Sequence, residues 1–250
     1  MLKKIISFSL YGEKLMYLKG SIANIQLAAH LFPDYYCRFY IDDTVPDEFI
    51  QQLRVYPNVE VIDMSGSVLP KMTWRFLPAD DSNVILFLSR DVDSRLSERE
   101  KWIIEDWLNN GKQYLIIKDH PFFYSDFTMM GGLWGMKNDT IIEMEQQIQI
   151  WWQQQSHSGL EVYNDDQHFL SAIIYPQILE KLSYYDNYNI NRMPFCKTIP
   201  IKRKKYHFIG EAFDADNKRM GHYKELRNFH LKKFGMPGKL LVKALYKLKL

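Results

Sequence analysis

The 250-residue chain carries 32 Lys/Arg against 30 Asp/Glu, but the small net charge of +2 hides an asymmetry. Residues Lys197 to Leu250 hold 15 basic and 4 acidic side chains, and the first 196 residues hold 17 and 26. Two cysteines, Cys37 and Cys196, provide neither a disulfide framework nor metal-ligand spacing, which points to a reducing, cytoplasmic compartment. The opening Met1-Leu2-Lys3-Lys4 turns polar too soon for a signal peptide, and no run reaches the roughly 18 apolar residues of a spanning helix. The basic end attracts phosphates or anionic surfaces, yet no nucleic-acid motif accompanies it. Sixteen Tyr, fifteen Phe and six Trp suit either a large core or the stacking of ring-shaped ligands.

Taken in order, Lys3–Leu10 reads as a strand ending in Tyr11-Gly12. Leu18, Ile22, Ile25, Ala28 and Ala29 follow at helical spacing, and Phe32-Pro33 closes that helix. Tyr36–Ile41 is a second strand, Pro46–Tyr56 a helix with proline in its first turn, and Val59–Met64 a third strand. This β-α-β-α-β order predicts an α/β fold with a mainly parallel central sheet flanked by helices. No Gly-x-Gly-x-x-Gly follows the first strand, which excludes the usual dinucleotide site.

Val84–Leu88 is a buried strand that stops at Ser89-Arg90-Asp91-Val92-Asp93-Ser94. Ligands in open α/β sheets bind outside the carboxyl ends of strands. Asp91 and Asp93, one residue apart, can share a hard cation such as Mg²⁺ or Mn²⁺ while Val92 turns inward. The alternative is a polar turn with Asp93 or Ser94 capping the next helix. That helix spans Leu96–Asn109, with Ser97 and Glu100 at capping-box spacing. Tyr114–Ile117 is another strand, ending at Asp119-His120-Pro121. After Gly131-Gly132-Leu133-Trp134-Gly135 a helix runs through Gln155, and Asn164-Asp165-Asp166-Gln167 opens one that should end before Pro176. Leu240, Leu241, Ala244, Leu245 and Leu248 lie on one stripe of a last basic helix. The expected division is residues 1–235 as one domain and 236–250 as this amphipathic tail. The tail suits either a peripheral membrane contact or packing on the domain or a second subunit, as in a homo-oligomer.

Arg75-Phe76, Ser89 to Arg95, Arg99-Glu100, Asp119-His120-Pro121 and Gly131 to Gly135, in that order, resemble a group of microbial and viral sugar transferases with the GT-A fold. Ile6 to Gly12 and Tyr17-x-x-Gly20-x-x-x-Asn24 are similar to the same group. More distantly, Asp91/Asp93, Asp166-Gln167 and His207-x-x-Gly210 resemble the motif order of family-8 glycosyltransferases. The Lys-Pro-Trp that follows the histidine motif there is replaced by Glu211-Ala212-Phe213 here.

The resemblance implies a metal-dependent glycosyltransferase that moves a sugar from a nucleotide-diphosphate donor, a UDP-sugar first, to a saccharide or glycoconjugate acceptor. Asp91, Asp93 and His207 would hold Mn²⁺ or Mg²⁺, imidazole favouring Mn²⁺. Ser9, Leu10 and Tyr11 would meet the nucleoside. Arg75 and Arg90 would face the diphosphate or donor sugar, Arg90 having a structural ion pair as its alternative. Asp119, His120, Gly132, Trp134 and Gln167 would meet sugar hydroxyls or faces, a buried Trp134 being the alternative. Asp166 is the expected catalytic carboxylate, a general base if the enzyme inverts and a donor-holding group if it retains. The family-8-like order points to retention.

Two other readings compete. A sugar-nucleotide pyrophosphorylase needs a Gly-rich, basic loop after the first strand, and Ser9 to Lys14 does not supply one. A non-catalytic saccharide- or nucleotide-binding relative has no need of the acidic pair.

Overall fold

Strand β1 (Lys3–Leu10) leads into helix α1 (Leu15–Leu31), strand β2 (Tyr35–Ile41), helix α2 (Asp47–Arg54) and strand β3 (Val59–Asp63). The computed structural model describes residues 2–122, 127–138, 142–155, 163–189 and 192–233. The three strands pair in parallel, with Phe8 opposite Phe39 and Phe39 opposite Val61. Both phenylalanines are fully buried, and their rings stack with centroids 4.9 Å apart. Burial of each side chain contributes about 1.5–3 kcal/mol.

A 3-10 helix, Lys71–Asp80, precedes strand β4 (Val84–Arg90), helix α3 (Glu98–Asn109) and strand β5 (Tyr114–Lys118). Strand β6 (Leu133–Lys137), helix α4 (Met144–Gln154) and helix α5 (Asp165–Phe169) follow. Beyond a π-helical turn, Leu170–Ile174, come helix α6 (Tyr175–Ile178), strands β7 (Leu182–Asp186) and β8 (Cys196–Lys197), and helix α7 (Tyr223–Lys233). The eight strands form one sheet in the order β3-β2-β1-β4-β6-β5-β7-β8. β6 runs antiparallel to both neighbours, and every other pairing is parallel. The expected α/β architecture, a mainly parallel sheet flanked by helices, is therefore present.

Alternate residues of β1 serve opposite faces of the sheet. Ile6, Phe8 and Leu10 pack with Ile25 and Ala28 of α1 and Ile103 and Trp107 of α3. Ile5 faces the other way, into a cluster with Trp74, Phe76, Trp134, Ile148 and Phe169.

Three sequence expectations change. Gly131 to Gly135, to which the sequence assigns no element, runs into a strand, because β6 begins at Leu133. A Cβ on Gly135 would lie 2.9 Å from both Leu88 Cδ2 and Phe87 O, so only glycine lets β6 approach β4 there. The helix after Asn164 does not stop before Pro176, which sits in the first turn of α6, where a missing N–H costs no hydrogen bond. Neither Asp93 nor Ser94 caps α3: Ser97 does, its hydroxyl accepting from Glu100 N. The boundary at residue 235 and the 236–250 helix fall outside the described residues. Among the described residues no helix is long and apolar enough to cross a membrane.

Candidate functional site

A cleft of about 380 Å³ opens at the carboxyl ends of β1 and β4. Its position follows from topology, since the strands of a parallel sheet end together on one edge. Asp91 is the first residue past β4, and the chain turns at once. Ser94 closes that turn, its N–H and hydroxyl both donating to Asp91 O at 3.2 and 2.8 Å. Val92 points inward and is buried in the core. Asp91 and Asp93 are left to line the cleft.

The turn is held from two sides. Asn24 of α1 donates to Val92 O at 3.1 Å and Ser94 O at 2.9 Å, and accepts from Leu96 N at 3.2 Å. The Arg95 guanidinium donates to Val92 O, Asp93 O and Ser94 O within 3.3 Å. Phe213 N donates to Asp93 O at 2.9 Å, tying the chain's later segment to the same turn.

Arg75, in the 3-10 helix, joins the two acidic elements. Its Nη1 lies 2.9 Å from Asp91 Oδ1 and its Nη2 donates to Asp166 Oδ2 at 2.5 Å. Arg75 N donates to Ser9 Oγ at 3.1 Å, so the end of β1 holds the same element. Burial alone would lower the Arg75 pKa, but the Asp91 and Asp166 carboxylates outweigh it and raise it. Asp166, in the first turn of α5, is 2% exposed. Burial pushes its carboxyl up, with Asp91 adding to the effect and Arg75 opposing it.

Gly131 and Gly132 complete the wall. A Cβ on Gly131 would come 1.9 Å from Asp166 Oδ2, and one on Gly132 would come 2.1 Å from Asp91 Oδ2. Ser89 Oγ donates to Gly131 O at 2.6 Å and fixes that approach.

The charge balance is uneven. Three carboxylates, Asp91, Asp93 and Asp166, line the cleft with one guanidinium, Arg75. Burial, and then the neighbouring Asp91, push the Asp93 carboxyl up to about 6. Two oxygen-rich side chains crowded in this way suit a hard divalent cation. Among the described residues, no third His, Cys, Asp or Glu joins them in a metal-holding group.

Ser9, Leu10, Tyr11, Arg75, Asp91, Asp93, Gly132, Asp166 and Gln167 all line the cleft. Tyr11 packs edge-on to Trp74 at 6.2 Å, with Lys71 Nζ 5.7 Å over its ring. Gln167 Nε2 donates to Asn164 Oδ1 at 2.6 Å, and its carbonyl oxygen is buried without a hydrogen-bond partner among the described residues.

Five expected contacts lie elsewhere. Arg90 is 1% exposed; its guanidinium pairs with Glu100 of α3 and donates to Ser89 O and Trp134 O, so it holds α3 to the sheet and faces no phosphate. Trp134 is fully buried between Phe76 and Phe87, 5.5 and 5.1 Å away, with no face open to a sugar. Asp119, with no exposed surface, accepts from Arg99 Nε and Nη2 at 2.9 Å, from Arg203 and from Ile209 N. It therefore anchors the 203–209 segment. His120 packs on Phe208, ring centroids 4.6 Å apart. His207 sits beside Glu211 and Phe213 and does not line the cleft; His222 does. Burial, then Arg219, pushes the His207 imidazole down to about 4.

Sequence reasoning missed Tyr17, Tyr163 and His222 as lining residues. Tyr17 had a usable signal, its i, i+3, i+7 spacing with Gly20 and Asn24. Tyr163 and His222 had none.

No protein-family model and no curated protein sequence matches the chain. Among solved structures it is similar to the galactosyltransferase LgtC in complex with donor and acceptor sugar analogues, at 14% identity and a TM-score of 0.48, covering 89% of this chain and 94% of that one. It is similar to a glycosyltransferase involved in glycosylation of the major capsid of PBCV-1, at 14% identity and 0.44, covering 76% and 84%. A 4-diphosphocytidyl-2C-methyl-D-erythritol synthase from Anaerococcus prevotii aligns at 13% identity and 0.39, covering 68% and 82%. The functional reading rests on the cleft itself.

Proposed function

We propose that the chain is a metal-dependent glycosyltransferase, moving a sugar from a nucleoside-diphosphate donor, a UDP-sugar first, to a saccharide or glycoconjugate acceptor. The observation that carries this reading is the convergence of Asp91, Asp93 and Asp166 around Arg75 at the carboxyl edge of the sheet.

Asp91 and Asp93 are the residues to hold Mn²⁺ or Mg²⁺. When bound, the cation neutralises the diphosphate leaving group as the glycosidic bond breaks. Ser9, Leu10 and Tyr11 line the cleft and would meet the nucleoside. Arg75 orients both acidic elements and places positive charge beside the donor. A general base needs a carboxylate oxygen free to meet the acceptor, and Asp166 has its Oδ2 held by Arg75. It fits better as the group that holds the donor and stabilises positive charge at the anomeric carbon, which favours retention. Gln167 lines the cleft, where it would meet a sugar hydroxyl, and Gly131-Gly132 lets the Asp166 and Asp91 carboxylates pack against the backbone.

The test is thermal unfolding across a panel of nucleotide sugars with and without Mn²⁺, followed by transfer assays on the donor found. Asp91→Ala and Asp93→Ala should each abolish the Mn²⁺-dependent shift and the transfer. Retention of both in the double variant would overturn the proposal.

A further inference from the structure

One face of α1 is built against the metal-candidate turn. A Cβ on Gly20 would lie 2.4 Å from Val92 O, so the helix backbone touches the turn directly. Asn24, one turn later, clamps the same segment through three hydrogen bonds. Residues i, i+3 and i+7 share a helix face. Tyr17, one turn before Gly20, therefore falls on the cleft side of this contact. It is half-buried and lines the cleft with Asp91 and Asp93.

Packing accounts for the ring of Tyr17 and not for its hydroxyl. Lys14 Nζ lies 5.9 Å from the ring centroid, a contact that phenylalanine would also make. The hydroxyl makes no hydrogen bond to another described residue. Burial, then Asp93 and Asp91, raise its pKa. A donor beside two carboxylates has little use if the cleft holds only a cation. It has a clear use if the cation brings an anion with it.

We infer that Tyr17 is a donor-binding residue whose hydroxyl donates a hydrogen bond to a phosphate oxygen of the nucleoside diphosphate at the Asp91/Asp93 turn. The inference rests on the cleft being a nucleoside-diphosphate site. It adds a contact from α1, whose Gly20 and Asn24 already support the turn.

The test is calorimetric titration of wild type and Tyr17→Phe with Mn²⁺ alone, and with UDP, GDP and CDP in the presence of Mn²⁺. The expected result is at least a tenfold loss of diphosphate affinity in Tyr17→Phe, with Mn²⁺ affinity and Tm retained. Hydrogen bonds to charged groups contribute about 1.5–3 kcal/mol, which corresponds to a loss of this size. Equal diphosphate affinity in the two proteins would overturn the inference. So would a parallel loss of Mn²⁺ affinity, since Tyr17 would then support the turn and not the ligand. If wild type binds none of the three nucleotides, the nucleotide reading fails, and the inference with it.

Discussion

Asp91 and Gly132 lie so close that a methyl group on Gly132 would sit 2.1 Å from Asp91 Oδ2 and 2.8 Å from Asp91 N. The second distance is to backbone, so rotating the carboxylate away cannot relieve the clash. Gly132→Ala should therefore displace Asp91 and cut Mn²⁺-dependent nucleotide affinity at least tenfold. Overpacking of this kind also costs about 1–3 kcal/mol of stability. Titration calorimetry and denaturant unfolding of the same variant check the two effects.

Among the described residues Arg75 is the only Lys or Arg that lines the cleft, and Asp166 beside it is nearly inaccessible to water. Arg75→Met should strand that carboxylate. Breaking a buried pair from one side costs about 3–5 kcal/mol. Asp166 escapes the penalty by taking a proton, so the loss should be smaller at pH 5 than at pH 7.5. Urea unfolding at both pH values measures the difference, and an equal loss at both would count against an ionised Asp166.

The Arg90–Glu100 pair is 1% exposed on both sides and joins β4 to α3. Glu100→Gln should destabilise the fold by about 3–5 kcal/mol because it leaves Arg90 buried without its counter-charge. Nucleotide affinity of the folded protein should stay within twofold of wild type. A selective loss of affinity at unchanged Tm would return Arg90 to the phosphate site.

His207 supplies the pH dependence. Its folded pKa is about 4, below the ordinary 6.5, because burial and Arg219 disfavour the imidazolium. Between those values the unfolded chain binds the extra proton, so the His207 contribution to stability falls as pH drops from 6.5 towards 4, opposite in sign to that of Asp93, whose carboxyl is raised to about 6. His207→Phe keeps an aromatic ring against Phe213 and removes this proton uptake. Its stability relative to wild type should rise as pH drops through that window, as read by unfolding free energies of both proteins at half-unit pH steps.

Much of the frame was legible in local pattern. The apolar runs and turns of the first 64 residues announce a β-α-β-α-β unit, and Ser97 announces the start of α3. The acidic pair past β4 is visible because strand ends are where parallel sheets place ligands. Strand β6 was hidden, since Gly131, Gly132 and Gly135 announce no element and only the close approach of Leu88 and Phe87 explains the last of them. Pro176 misled for a similar reason, because a proline stops a helix only where its N–H is needed.

Residue type alone could not assign the charged groups. Arg75 precedes the Val84–Leu88 strand and Arg90 follows it, and from residue type either could serve a phosphate. The fold turns Arg90 to Glu100, ten residues on, and Arg75 to Asp166, ninety-one residues on. Asp119 and Asp93 both follow β-strands, yet Arg99 and Arg203 enclose the first while the second lines the cleft. His207 lies outside the cleft for the same reason, and His222, which the sequence does not single out, lines it.

The Asp91-Val92-Asp93 turn shows both sides of this division. The sequence by itself determined that two carboxylates follow a buried strand, with an apolar residue between them to face the core. That much is local, since strand alternation and hydrophobic burial act over a few residues. Only the tertiary structure decided what surrounds the pair: Gly20 and Asn24 beneath it, Gly132 against it, Arg75 and Asp166 across from it and Tyr17 at its side. Those contacts join residues far apart in the chain, and long-range packing has no periodic signature in a single sequence.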